Sequence, residues 1–407
     1  MIRTYVLKAT QPKSLLGDLN RESGRIYTDV VVTHWRAYRK SDVWLSCHSS
    51  QKLNDFLHPE TILHAHSRDA AQEGFYKAVK TTHTLRKQGI RSRFPHHRKL
   101  YRTSVWKSTG IRIRGEQALL ARSHGLTPIV VRLPESLREK KIVEVRLVFN
   151  QKSHRYEWHF VADDLVEIPL RTEGCVVAVD LGEIHPAACT NGVDSVVDSC
   201  RALRSNGQGL AKSIAGIDAK KSRTKPGSIQ NKRLSKAKNK KRRLAESRQK
   251  DILHKVSRDV VNYAVRSGAK EIVIGDVRNI AKNGKLSKAS NQKISLWPHG
   301  KLRSNIEYKA AEFGIATTLI GERNTTQTCP CCGEKQKPRG RVYKCKSCGW
   351  SGHRDGQVGA ANILSLRLFN ELARVLVSTP KYRHPFLSGN RQRQASVDMR
   401  TPCKLLI

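Results

Sequence analysis

The chain has 407 residues and carries 76 Lys and Arg against 34 Asp and Glu, a formal charge of +42. That length accommodates two or three domains with a real core, and such a charge would repel itself in a compact state unless a polyanion neutralised it. A membrane surface is the rival partner, but no apolar run approaches the roughly 20 residues of a span and no opening stretch reads as a signal peptide, so nucleic acid is the expected partner.

Residues 1–53 give few signals. Ile2–Leu7 reads as a short strand, and Asp29-Val-Val-Val-Thr33 opens a helix. From His58 to Gly89, Ala70, Ala71, Phe75, Ala78 and Val79 recur at helical spacing. The run Arg86–Arg102 is densely basic, with Arg91, Arg93, Arg98 and Lys99 as expected contacts to a phosphate backbone. Aromatics are only 6%, which favours gripping phosphates over stacking on bases. Between Ser104 and Asp163 the period switches to that of strands: Gly110–Arg114, Ile129–Leu133, Ile142–Phe149 and Arg155–Val161 alternate apolar with polar. The expectation for 1–173 is a small β-barrel, with a helical lobe of about residues 10–103 inserted into it.

A second domain starts at Gly174. Cys175–Val179 is an apolar strand ending in Asp180, whose buried charge needs a partner. A cation is the expected one. Pro186–Thr190 and Ser195–Ser199 complete a meander. Lys220–Lys255 is strongly basic, with Lys236, Lys240, Lys241, Arg242 and Arg243 expected along a phosphate-tracking helix. Glu271–Gly275 is a buried strand, Ser304–Phe313 a helix, and Ala316–Gly321 a strand followed by Glu322. After Leu366 the chain stays apolar to Leu376, and residues 377–407 read as a basic tail with little order.

Two Cys-x-x-Cys pairs, Cys329/Cys332 and Cys345/Cys348, flank twelve residues containing Gly333, Pro338 and Gly340. That is the spacing of a zinc ribbon, and four thiolates fill a structural Zn²⁺ site with no open position. Cys331 reads as a bystander. The remaining cysteines are scattered, which suits a cytosolic protein with free thiols. The ribbon, 323–353, interrupts a domain whose parts are 174–322 and 354–376, with Glu322 before it and Asp355 after it. Meander, helix, strand, helix, strand, helix is the order of an RNase H-like fold. The fold class is therefore α+β and multidomain: an RNase H-like α/β domain with an inserted zinc ribbon, preceded by the barrel. Asp180, Glu322 and Asp355 would meet at one sheet edge, where parallel strands lie about 4.8 Å apart. Three carboxylates there would repel unless Mg²⁺ sat among them. Two Mg²⁺ about 4 Å apart can activate a water and stabilise the leaving oxygen of a phosphodiester.

Here the chain resembles a known family, the TnpB transposon-encoded RNA-guided nucleases and the compact type V CRISPR effectors descended from them. The resemblance rests on Val179-Asp180-Leu-Gly182, Ile272-Val-Ile-Gly-Asp276, Tyr308-Lys-Ala, Glu322–Cys329 with its ribbon, and Arg354-Asp355 through Asn362-Ile363. It implies a RuvC-like nuclease that binds a guide RNA and cuts matched DNA beside a short flanking motif. It further implies a barrel serving as a wedge, a helical recognition lobe, and a cytoplasmic, nucleoid-associated protein of a prokaryote.

Gly275 departs from the pattern, because the family's middle acid is a Glu at that strand end. In one reading Glu322 on the adjacent strand supplies the missing carboxylate, giving catalytic residues Asp180, Glu322 and Asp355, which also hold Mg²⁺. In the other the nuclease is dead and the protein is an RNA-guided DNA-binding repressor or targeting module. Asp276 is turned to the opposite face from Gly275 by strand alternation, and Glu271 lies about 13 Å down the strand. The family's spacing from Asp to the helix opening is one residue shorter than here, which displaces Asp355.

Overall fold

In the computed structural model, which describes residues 2–384 apart from 152, 279–286 and 339, the chain divides into units Met1–Glu167 and Ile168–Ile407. The first unit opens with strand β1 (Ile2–Lys8) and helices α1 (Lys13–Ser41), α2 (Cys47–Leu57) and α3 (Ala65–Lys87). Strands β2 (Ser104–Lys107), β3 (Ile111–Arg114), β4 (Gln117–Leu120) and β5 (Ile129–Arg132) follow, then a short α4 (Glu135–Arg138) and the hairpin β6 (Lys141–Asn150) and β7 (Arg155–Asp163). The strands form two sheets, β1-β7-β6-β2 and β3-β4-β5. Their apolar faces share a core that includes Trp106, Leu120, Val131, Leu147, Trp158 and Phe160. Helix α1 begins at Lys13, well before the expected Asp29. Leu16, Leu19, Ser23, Ile26, Tyr27 and Val30 bury one stripe at helical spacing. Ser23 and Gly24 inside that stripe dilute its apolar signal.

The second unit is built on one six-stranded sheet. Its elements are β8 (Cys175–Asp180), β9 (Ala187–Thr190), β10 (Ser195–Asp198), α5 (Arg201–Ser222), α6 (Ile229–Arg266), β11 (Ala269–Asp276), α7 (Lys288–Leu296), α8 (His299–Ala311) and β12 (Ala316–Gly321). The ribbon strands β13 (Val342–Lys344) and β14 (Ser351–His353) come next, then a π-helical turn at Arg354–Ala360, α9 (Ala361–Phe369) and β15 (Lys381–Arg383). The strand order is β12-β11-β8-β9-β10-β15. β8, β11 and β12 run parallel, so their carboxyl ends share one edge. Such an edge is where open parallel sheets place ligands.

Alternation divides the sheet into two faces. Val177, Val179, Ile272 and Ile274 pack with Val256, Val260, Leu302 and Ile306 of α6 and α8. Val176, Ala178 and Val273 pack with Ile363 and Leu364 of α9 on the other side. The basic stretch Lys220–Lys255 is split at 223–228, where Gly227 takes a φ of 81°. Ser228 then caps α6 by accepting from Asn231 N at 3.2 Å. The tail differs from expectation. β15 joins the sheet in parallel with β10, Asp198 opposite Arg383, and three residues carry too little alternation to announce a strand. Pro385, Arg391, Arg393 and Cys403 lie outside the described residues. No described helix is long and apolar enough to cross a membrane.

Candidate active site

Asp180 ends β8 and is 8% exposed. Alternation puts it on the α9 face with Val176 and Ala178. Val179 pairs with Ile274, so Gly275 comes next in register beside Asp180, on the same face as Val273. Across β11, Gly275 pairs with Ile320 and Asp276 with Gly321, which brings Glu322 to the edge one residue later. Its side chain folds back over the glycine. A Cβ at Gly275 would overlap Glu322 Oε1 and lie 2.5 Å from its Cδ. The carboxylate thus fills the space that a side chain on Gly275 would have occupied. Asp276 shares the face of Ile274, away from this site, and is held by Arg278 at 2.6 and 2.9 Å. Glu271 is bound to Arg367 at 2.9 Å and to Thr318 at 2.7 Å.

The electrostatics of the pair are those of a site short of positive charge. Asp180 is held well above the usual carboxylate range by burial first, and then by repulsion from Glu322 and Asp355. Glu322 is pushed up to about 7 by burial and by Asp276. Its Oε1 is buried and has no hydrogen-bond partner among the described residues. Two crowded carboxylates with an orphaned oxygen are the donor set of a hard divalent cation, and the residues fit Mg²⁺ on that ground.

Asp355 sits differently. It lies in the π-helical turn Arg354–Ala360, at 6% exposure. A π turn takes one residue more than an α turn, which accommodates the extra residue between Asp355 and the opening of α9. Gly359 in that turn admits the Asp180 carboxylate, since a Cβ there would overlap Oδ2. Asp355 Oδ2 receives Arg341 Nη1 at 2.7 Å and His185 Nδ1 at 2.8 Å, and Oδ1 receives Arg354 Nε at 3.0 Å. Burial would raise its carboxyl. The His185 hydrogen bond and the two guanidiniums override that and hold it well below the usual range. Among the described residues, Asp355 groups with His185 and His353 rather than offering an oxygen within 4.8 Å of both Asp180 and Glu322. Sequence reading missed Arg341 and His185, because both reach Asp355 through the fold, and it gave Arg354 no role. Arg354 alone, as the chain neighbour, left a signal.

Cys329, Cys332, Cys345 and Cys348 bring their sulfurs within 4.8 Å of one another. The Cys329–Cys348 and Cys332–Cys345 sulfurs are 3.7 and 3.5 Å apart. The four fit a structural zinc site. Cys331 is exposed and outside the cluster. Tyr343 and Val358 pack under the ribbon with Cys329 and Cys345, so the ribbon core rests on the same π turn that carries Asp355. The expected phosphate contacts lie on the surface. Arg91, Arg93, Arg98 and Lys99 are exposed between α3 and β2. Lys236, Lys240, Lys241 and Arg242 are exposed along the first half of α6, with Arg243 half-buried.

Residues 299–363 match the family described as Cas12f1-like, TNB domain. A TnpB-like protein of Methanocaldococcus jannaschii is 35% identical over 107 residues, 26% of this chain and 38% of that protein. The CRISPR-associated endodeoxyribonuclease Cas12f1 of Sulfoacidibacillus thermotolerans is 30% identical over 105 residues, 25% of this chain and 24% of the relative. This chain thus matches well under half the length of these curated relatives. The fold extends further. A Cas12f1 solved in complex with single-guide RNA and target DNA superposes with a TM-score of 0.59 at 13% identity, over 86% of this chain and 82% of that one.

Proposed function

We propose that this chain, which belongs to the family of TnpB proteins and compact type V effectors, is an RNA-guided DNA endonuclease. Its nuclease would be a RuvC-like, RNase H-like domain whose third carboxylate has moved to the neighbouring strand. One observation carries this reading: the Glu322 carboxylate occupies the space over Gly275, beside Asp180, with a buried oxygen that has no hydrogen-bond partner among the described residues. A relic of a lost site has no reason to keep two carboxylates in mutual repulsion. Asp180 and Glu322 would hold Mg²⁺, with Asp355 completing the shell. When bound, the ion supplies Lewis acidity toward a phosphodiester and lowers the pKa of an attacking water. The chain's own part is to fix the two carboxylates at a rigid sheet edge, exclude bulk water, and keep Asp355 ionised through Arg341, Arg354 and His185. The basic segments containing Arg91–Lys99 and Lys236–Arg243 would grip guide RNA and heteroduplex by shape, while base pairing reads the sequence and a short flanking motif licenses entry.

The binding-only reading has one observation in its favour: Asp355 is already neutralised by two arginines. Cleavage of a guide-matched plasmid in Mg²⁺ separates the two. Wild type should cut, and Glu322→Ala should bind its target without cutting. Binding without cutting by the wild type would make target occupancy the function. Cutting by the variant would remove Glu322 from the site.

A further inference from the structure

The first unit holds a second built site. Residues 94–103 do not leave the surface of α1. Trp35 Nε1 donates to Pro95 O at 2.9 Å, and Lys99 N donates to Thr28 Oγ1 at 2.9 Å. Gly24 admits the Leu100 carbonyl, which would lie 2.6 Å from a Cβ there, and Arg102 N donates to Asn20 O at 2.8 Å. The segment is strapped along the helix in the opposite direction. Between strap and helix lies a cleft of about 340 Å³. Its floor is Val31, Val32 and Trp35. Its walls are Arg36, Arg39 and Lys40 from α1, and His96 and Arg98 from the strap.

Among the described residues, no acid lines this cleft. Among the described residues, the side chains of Arg36, Arg39, Lys40 and Arg98 make no ion pair or hydrogen bond, whereas Arg25, Arg68 and Lys107 of the same unit are paired with Glu22, Asp55 and Glu73. The carbonyl end of α1 attracts Arg39 and Lys40 in its last turn. That accounts for neither Arg36, a turn earlier, nor Arg98 on the opposite wall. A one-sign cleft with an apolar floor focuses its field on an anion that also carries a flat apolar face. Trp35 is held in place by edge contacts to Tyr38 and Trp44 and a tilted contact to Phe94.

We propose that the cleft binds one unpaired nucleotide of a nucleic-acid strand, its base on the Val31–Val32–Trp35 floor and its flanking phosphates on Arg36, Arg39, Lys40 and Arg98. A duplex keeps its base faces stacked inside and has no use for the floor. A single strand offers both faces and phosphates. The inference deepens the nucleic-acid reading above and rests on it.

The test is fluorescence anisotropy of the full-length protein with short labelled oligonucleotides: single-stranded DNA, RNA of the same sequence, and an abasic strand of equal length, each across a salt series. Wild type should bind the base-carrying strands about tenfold more tightly than the abasic one. Val32→Glu, which puts a charge on the floor without touching the Trp35–Pro95 bond, should erase that preference. Arg36→Gln/Arg39→Gln should weaken all three and lower the salt slope by about 1.4, roughly 0.7 per lost phosphate contact. The tighter of the DNA and RNA arms identifies the strand. Equal binding of normal and abasic strands by wild type, or an unchanged slope in the double variant, overturns the cleft. No binding to any strand by wild type overturns instead the nucleic-acid reading beneath it.

Discussion

Asp180 and Asp355 sit within reach of each other's charge, are buried to a similar degree, and are driven in opposite directions. Asp180 shares a sheet edge with Glu322 and is held high by burial and like charge. Asp355 faces Arg341, Arg354 and His185 and is held low. Burial raises both carboxyls, so the neighbours decide. The pair at the sheet edge leaves a buried oxygen without a hydrogen-bond partner among the described residues, while the carboxylate on the π turn accepts from three donors. The zinc ribbon and the sheet edge are joined at this point, because Arg341 is a ribbon residue.

The largest effects should come from breaking the bare pair. Asp180→Ala and Glu322→Ala should each lower Mg²⁺-dependent cleavage by at least about a hundredfold, with target binding retained in a gel shift. Gly275→Ala should come close to them. The three atoms nearest its Cβ, from Cγ to Oε1, all belong to the flexible Glu322 side chain, so the fold should hold while the carboxylate is displaced. Gly275→Glu combined with Glu322→Ala returns a carboxylate to that space and should recover part of the rate. A rate no better than that of Glu322→Ala alone would show that the strand position itself matters.

Part of this contrast was legible in the sequence. Asp180, Glu322 and the four ribbon cysteines were picked out at local signals, the end of an apolar run or a fixed Cys spacing, and Asp355 at the opening of a helix; the structure gathers the four sulfurs and groups Asp355 with His185 and His353. The inference that Asp276 turns away from Gly275 needed only the period of a strand, and the two faces of the sheet agree with it. The state of Asp355 was not legible, since His185 is 170 residues away in sequence. Nor was β15, whose three residues gain strand geometry from β10 rather than from their own pattern. The start of α1 was hidden by Ser23 and Gly24, whose hydroxyl and missing Cβ serve the contact with the 94–103 segment.

Zinc removal should act next, on the arm that holds Asp355. Chelation, or Cys345→Ser, should release the ribbon, read as new proteolytic cuts between Cys329 and Cys348, because a four-thiolate site stabilises its fold through the metal. Arg341 then loses its fixed place. Cleavage lost under chelation but restored by added zinc would tie the two sites together. Arg341→Ala isolates the arm itself and should destabilise the protein by about 2 kcal/mol at neutral pH, the worth of a hydrogen bond to a buried charge, read from the denaturant midpoint. Asp355 titrates below its unfolded value, so its contribution is present above about pH 4 and fades as pH falls through that range. The difference between wild type and Arg341→Ala should shrink with acid. A constant difference would mean that Arg341 contributes packing rather than charge.

The smallest effect has the opposite sign. Glu322 is pushed up to about 7, above its unfolded value near 4.5. A raised carboxyl favours the folded state most below the unfolded pKa, and that contribution is lost as pH rises through the folded one. In chelator, the melting temperature should therefore fall between about pH 5 and pH 8, by only a few degrees for a chain this long. Glu322→Gln should flatten the fall, because its amide has no proton to lose at these pH values. Mg²⁺ should flatten it in wild type and leave Glu322→Gln almost unmoved, since the ion stabilises the ionised pair by binding the folded state. Equal stabilisation of both proteins by Mg²⁺ would place the ion elsewhere on the surface and leave the repulsion between Asp180 and Glu322 without a purpose.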